Sequence, residues 1–516
     1  MALDLSPFAD TGLDAALLEA LSDEHERATL PELRRLWAYF RNSATLAGCR
    51  GTRSAACPEN ACAREYCLAQ ERGLPRRLRG QRTDHLRDDR GSEREVVIEN
   101  DIAWRVEALV DFVFGKPARI LSTTGDETRR AEIEAILDSA WEASGGAALF
   151  QDFGLLGGVY GFADLVLRDA ALWERAGAPA VSRTTARASL DRALAAARLL
   201  RIELVEPPRA IPLLDGGDYR RILAYIIRAP IVTNDIERPG VFRRVLGSLR
   251  AGAPGTAPRR RTATALEVIS PRYRQVYIDN ALIDEGPNHL GELPVVHVQN
   301  ISQPLRYEGI SDVEPLIPLQ DELNTRLSDR AHRVTLQSFN MYLVKGLDAL
   351  GPSGLRIAPG QVWMTDNPDA SVQGFGGDGH SPSEERHIEE LRDAMDKISG
   401  VSPVAIGVIR AKLGHLSSEN ALRITLMGVL SKAARKRLSY GRGIAQMSRL
   451  ILKALDAAGV YRTTEAERSV RIEWSDPLPV DERARLTAAQ LKRDLGVPQE
   501  QVLAELGYAP RDSGIV

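Results

Sequence analysis

Between residues 13 and 42 apolar side chains recur at helical spacing on two successive stripes, Leu17, Leu18 and Leu21, then Leu33, Leu36, Trp37 and Phe40. The pattern predicts two amphipathic helices forming a lid or an arm. Residues 73–94 (GLPRRLRGQRTDHLRDDRGSER) lose the periodicity and suit an exposed connection. Helical spacing returns over 95–114 through Ile102, Val106, Leu109, Val110 and Val113, and Gly115 and Pro117 stop it. From 201 to 282 the text changes to short β-rich runs separated by Pro, Gly and Asp, which predicts a mixed sheet. One interruption, 251–263, reads as a flexible tip carrying Arg259, Arg260 and Arg261.

After Asn300 the helical period resumes. Ser311 and Asp312 are N-cap candidates, and Val313, Leu316, Leu319, Leu323, Leu327, Ala331 and Val334 mark one face of a segment ending near Phe339. Pro315 and Pro318 confine the regular helix to the residues after them. Strand and turn text over 341–376 leads to a second helix at 383–398. A glycine-punctuated loop over 400–418 then opens the longest helix, about 420–455, with Tyr440, Ile444, Met447, Ile451 and Leu455 on one stripe. A strand and two short helices close the chain.

At 516 residues the chain is longer than one core usually serves, so two or more domains are expected, and 44% hydrophobic with 27% charged residues is ordinary globular composition. Lys and Arg total 67 against 70 acids, so any contact with nucleic acid has to come from local surfaces. Two helices are locally unbalanced. The 383–398 segment carries Glu384, Glu385, Glu389, Glu390, Asp393 and Asp396 against Arg386, Arg392 and Lys397, an acidic surface. The 420–455 segment carries Arg423, Lys432, Arg435, Lys436, Arg437, Arg442, Arg449 and Lys453 with no acid, so it requires partners: acidic surface of its own or a neighbouring subunit, or DNA. The polar, acidic N-terminus and the lack of a long apolar run lead us to expect a soluble intracellular chain with no membrane partner.

Catalytic signatures are missing. No GxxxxGK[ST], HExxH, GxSxG or strand-linked GxGxxG occurs, and the eight histidines are scattered, so an enzyme is not expected. The four cysteines, Cys49, Cys57, Cys62 and Cys67, are spaced C-x7-C-x4-C-x4-C. Four thiolates suit a tetrahedral structural zinc site, and four free thiols are the plainer reading; both stay open. A metal-dependent nucleic-acid-processing protein built on that cluster is the alternative function.

Several segments in one order carry a family resemblance: 95–120 (EVVIENDIAWRVEALVDFVFGKPARI), 203–228 (ELVEPPRAIPLLDGGDYRRILAYIIR), 291–324 (GELPVVHVQNISQPLRYEGISDVEPLIPLQDELN) and 406–426 (IGVIRAKLGHLSSENALRITL). They resemble the corresponding passages of tailed-phage portal proteins of the SPP1 type, and the likeness spans about residues 30–508. It implies an α+β portal fold: N-terminal helices with a Cys-bearing insertion (1–94), a mixed α/β wing (95–309), a first stem helix (310–339), a small β-containing clip (340–382) and a second stem helix (383–399). A tunnel loop (400–418), a long wing helix with a strand (419–477) and a short helical crown (478–516) complete it. It also implies a ring of twelve at one capsid vertex, through which double-stranded DNA is packaged and ejected. Terminase large subunit, major capsid protein and head–tail adaptor are the implied partners, with the chain in the virion and, before assembly, in the host cytoplasm. Arg410, Lys412 and His415 are then placed to follow the DNA backbone from the tunnel loop, and the acids of 383–398 to keep the wall from gripping it. The shortness of the crown and the cysteine segment depart from the family pattern.

Overall fold

A computed structural model of the chain describes residues 3–46, 66–75, 78, 95–175, 186–235, 259–337, 342–345, 362–365, 382–407, 419–478 and 482–506. Helices α1 (Ala15–Glu24) and α2 (Leu30–Arg41) are joined by a single π turn, and the Asp14 carboxylate caps α1 by accepting from the Leu17 amide at 2.7 Å. They do not form a free arm. Leu18, with Leu5, Phe8 and Leu13 ahead of the helix, packs on the sheet residues Ile211, Ala224, Ile226, Leu266 and Val268. Leu33, Leu36, Tyr39 and Phe40 join a second core with Ile102, Val106 and Leu316. Each stripe finds an apolar face, and a detached arm would leave both in water.

Strands β1 (Ala44–Leu46) and β2 (Tyr66–Leu68) pair antiparallel. Next come α3 (Ala103–Phe114), β3 (Arg119–Ser122), α4 (Glu127–Ala143), α5 (Gly146–Tyr160), β4 (Phe162–Arg168), α6 (Ala170–Arg175), α7 (Ala186–Ala197) and β5 (Arg201–Val205). A run of strands follows: β6 (Ala210–Asp215), β7 (Asp218–Asp235), β8 (Arg259–Ile269), β9 (Tyr273–Ile278), β10 (Ala281–Pro287) and β11 (Val295–Gln299). The expected mixed sheet is in fact two antiparallel sheets, ordered β10-β9-β8-β7-β6 and β11-β4-β5. Two-residue turns fix the β6–β7 and β9–β10 pairs, since strands joined that closely can only run antiparallel. Asp279 and Asn280, both at positive φ, form one such turn, and Gly216 and Gly217 another. Arg259, Arg260 and Arg261 lie in β8, paired in register with Asp235, Asn234 and Thr233, so they belong to the sheet and not to a loop tip.

A 3-10 turn (Glu314–Leu316) leads into α8 (Ile317–Gln337). The parallel pair β12 (Tyr342–Lys345) and β13 (Val362–Thr365) separates it from α9 (Pro382–Ser399). The long helix is α10 (Glu419–Thr425) and α11 (Met427–Ala457), joined at Leu426, and the bonds Leu426 N to Leu422 O and Leu430 N to Leu426 O carry the helical ladder through the joint. Its stripe of Tyr440, Ile444, Met447, Ile451 and Leu455 is fully buried in the largest core, among Ile133, Ile136, Leu137 and Trp141 of α4 and Leu165 of β4. Strand β14 (Val470–Glu473) pairs with β3, and α12 (Glu482–Asp494) and α13 (Gln499–Leu506) follow.

Candidate functional site

Helices α8 and α9 pack through Leu323 and Leu327 on one side and Ile388, Leu391 and Met395 on the other. This fixes which of the acids on α9 are free. Glu384 turns inward to Arg333, and Asp396 meets the buried Arg105 of α3 at 2.5 Å. Glu385, Glu389, Glu390 and Asp393 stay exposed, and Glu390 takes Arg386 one turn earlier at 3.1 Å. Residues 385, 389 and 393 are four apart, so three carboxylates line one ridge of the helix. Across the pair His387 Nε2 lies 3.3 Å from Glu322, and Arg392 reaches Glu99 at 2.7 Å.

Where this helix pair meets the long helix, the chain buries a charge cluster. Lys432 Nζ is 2.9 Å from one Asp312 oxygen, Lys436 Nζ holds the other, and Asn300 donates to the second at 3.0 Å. Tyr440 in turn donates to Asn300 at 3.0 Å, and Lys432 donates to the Ser399 carbonyl at 2.9 Å, in the last turn of α9. Burial works to raise the Asp312 carboxyl, but Lys436 and Lys432 outweigh it and hold it below the usual carboxylate range. Burial pulls the Lys436 amine down, with Asp312 opposing. Two ammonium groups share one carboxylate, and the negative end of the α9 dipole faces the excess charge. Every charge is spoken for within the chain, which suits a structural lock.

Asp312 therefore does not cap the helix, as its position next to Ser311 suggests. Ser311 instead turns the chain into the 3-10 turn, accepting from the Val313 and Glu314 amides at 3.0 and 3.3 Å, while the Asp312 amide donates to Gly158 O at 2.8 Å. Glycines in α5 make the approach possible. A Cβ on Gly157 would sit 2.0 Å from the Tyr440 hydroxyl, and one on Gly158 3.2 Å from Asp312. A second buried network, also silent in the sequence pattern, has Asp164 accepting from Tyr225 at 2.6 Å and Tyr307 at 3.1 Å, with His297 Nδ1 at 2.6 Å.

The bases of the long helix find most of their partners inside the chain. Besides the two lysines on Asp312, Arg449 and Lys453 share Glu292 at 2.6 and 2.7 Å, and Arg423 pairs with Asp476 at 2.6 Å. Arg437 donates to the carbonyls of Phe112 and Ser475 and lies over the Trp474 ring. Arg435 and Arg442 are exposed, and neither forms an ion pair among the described residues. Arg410, Lys412 and His415, and Cys49, Cys57 and Cys62, lie outside the described residues; Cys67 is in β2, in register with Thr45. Among the described residues no three His, Cys, Asp or Glu side chains group as metal ligands, and no helix is long and apolar enough to cross a membrane.

A family model described as phage portal protein, SPP1 Gp6-like, matches residues 106–507, from within α3 to the end of α13. The chain belongs to this phage portal family. Portal proteins of this family are structural and not enzymatic, so the match removes the nucleic-acid-processing alternative and makes the chain a phage-type portal component of the particle. Among solved structures the portal chain is similar to one titled as the virion of a native gene transfer agent particle, at 12% identity and a TM-score of 0.37, covering 79% of this chain and 89% of that one. A second, titled as the neck of an empty gene transfer agent particle computed with C6 symmetry, matches at 14% identity and a TM-score of 0.37, covering 80% and 91%. A comparison with curated protein sequences found no match.

Proposed function

We propose that this portal chain forms a ring of twelve at one capsid vertex, the conduit through which double-stranded DNA enters and leaves. In this reading α8 and α9 are the stem, β12 and β13 belong to the clip, 400–418 is the tunnel loop, the sheets and long helix form the wing, and α12 and α13 form a short crown. The observation that carries it is the exposed line of Glu385, Glu389 and Asp393 along a helix whose other face is locked against α8. A wall that passes a polyanion must not hold it, because each phosphate neutralised by Lys or Arg releases counterions and adds affinity. Carboxylates along the stem keep the duplex moving. Arg410, Lys412 and His415 on the loop supply the few contacts that track phosphates without reading bases. Terminase large subunit, major capsid protein and a head–tail adaptor are the partners such a vertex requires.

Negative-stain imaging of the purified protein tests the ring, and a monomer at every concentration and salt overturns it. Replacing Arg410 and Lys412 by Ala is expected to leave rings intact and impair packaging. Unchanged packaging removes the tunnel-loop role.

A further inference from the structure

Two faces of the wing are left unsatisfied within one chain, and their characters are opposite. On the long helix, positions 424, 427, 431, 435, 438 and 442 follow one another at three- and four-residue steps and share an exposed face. Ile424, Met427 and Leu438 on it are 68%, 61% and 74% exposed, and Arg435 and Arg442 are its cations that form no ion pair among the described residues. An apolar stripe flanked by charge on the outside of a helix marks an interaction site. The second face is on α4, where Glu134, Asp138 and Glu142 stand at i, i+4 and i+8 and Ala131 and Ala135 are exposed beside Asp138. Glu134 is occupied by the Ser122 amide at 2.9 Å. Asp138 and Glu142 form no ion pair among the described residues, and burial, Glu134 and Glu142 together raise the Asp138 carboxyl, with Arg119 opposing.

The chain cannot bring these faces together by itself. Helix α4 meets the long helix through the Trp141 Nε1 bond to Ser448, on the buried side of α11. Leu438 is ten residues from that contact, about 15 Å along the axis at ~1.5 Å per residue, and on the outer face. Both helices bury their other side in the same core, so the two exposed faces cannot turn toward each other. A heterologous contact that closes a ring needs this: two complementary surfaces on different faces of one subunit.

We propose that the face of α10 and α11 bearing Ile424, Met427, Arg435, Leu438 and Arg442 docks on the α4 face bearing Asp138 and Glu142 of the next copy of the chain. The bulky apolar residues seat on the α4 alanines, and the two arginines meet the two carboxylates. This pairing rests on the ring reading and names its subunit interface.

The test is reciprocal charge reversal read by mass photometry. Arg435→Glu with Arg442→Glu, and separately Asp138→Lys with Glu142→Lys, should each raise the concentration for half-assembly at least tenfold. An equal mixture of the two proteins should recover rings of wild-type mass, because alternating copies restore opposite charges at every contact and twelve is even. As a probe that leaves the charges in place, a photo-crosslinking residue at Leu438 should give inter-copy adducts within 127–143. Wild-type assembly by both reversed proteins overturns the pairing while leaving the ring standing. So does a mixture that stays unassembled although both variants melt like wild type, and so do adducts confined to other segments. If arginine reversal abolishes duplex binding with assembly unchanged, DNA and not a second copy is the occupant. A wild-type chain that never assembles overturns the ring and the pairing together.

Discussion

Asp312→Ala tests the lock between the α8–α9 pair and the long helix. The substitution deletes the carboxylate that Lys432 and Lys436 share, and both lysines are buried. Breaking a buried ion pair by removing one partner costs about 3–5 kcal/mol, because the other charge is left without water or counter-charge. That is a large share of the ~5–15 kcal/mol that holds a typical protein folded. Lys436→Met removes one of two competing cations and keeps the 2.9 Å Lys432 contact, so it should cost under about 1.5 kcal/mol. Asp312→Leu combined with Lys432→Met and Lys436→Met should recover most of the loss, as apolar replacements of whole buried ion clusters do.

The pH dependence has a definite sign. In the wild type the folded Asp312 pKa is depressed, so its contribution is complete above the unfolded value near ~3.9 and is lost as pH falls through the folded value. In Asp312→Ala the buried Lys436 amine loses the anion that opposes its downward shift, so its folded pKa falls further below the unfolded ~10.4. The deficit is therefore larger at pH 7 than at pH 9.5 and shrinks as pH rises toward the unfolded ~10.4. Urea unfolding at pH 7 and 9.5, with hydrogen exchange at 311–317 and 396–404, reads the deficit and its shrinkage. A variant within ~1 kcal/mol of wild type at pH 7, far short of the expected loss, or a deficit that grows at pH 9.5, refutes the lock.

Gly157→Ala should cost about 1–3 kcal/mol in the same urea assay, because its Cβ meets the Tyr440 hydroxyl at 2.0 Å and breaks the bond to Asn300. Gly216→Ala, with nothing within 4 Å, should be nearly neutral. Burial pushes Glu267 up, but Arg168 and Arg274 outweigh it and hold it below its usual range. Its stabilisation is thus complete above the unfolded value near ~4.3 and lost as pH falls through the lower folded one, so Glu267→Gln should flatten the acid limb of a stability-versus-pH curve. If Cys49, Cys57, Cys62 and Cys67 hold structural zinc, elemental analysis of protein never exposed to chelator will give roughly one zinc per chain; less than about a tenth leaves the free thiols.

Where a segment buries one face, the sequence announced it. The stripes at Leu33–Phe40, Ile102–Val113 and Tyr440–Leu455 are helices because a 3.6-residue period puts those side chains on one side. Strand pairing was less legible, because a two-residue period identifies a strand but not its neighbour. The turn pairs Gly216–Gly217 and Asp279–Asn280 were the local signal for hairpins, and they outrank the overall β-rich character that suggested a mixed sheet. The N-terminal helices misled for a related reason. Their apolar stripes were visible, but the faces they cover, Ile211 to Val268 and Ile102 with Val106, lie far along the chain.

The candidate site shows the same limit more sharply. Counting charge along one helix made eight bases look uncompensated, yet Asp312 is 124 residues from Lys436, and Glu292 is 157 from Arg449. A helix with no acid of its own has to draw its counter-charge from elements remote in sequence, so its one-sided composition already implied tertiary ion pairs and left open only how many. Six of the eight bases are consumed by the fold, each by a carboxylate or a backbone carbonyl. The two that remain, Arg435 and Arg442, are seven residues apart, which on a helix is the same side. Had the leftovers been scattered around the helix, solvation would explain them. Their alignment with Ile424, Met427 and Leu438 is what solvation does not account for, since water gains nothing from three exposed apolar side chains on the face that carries both free cations.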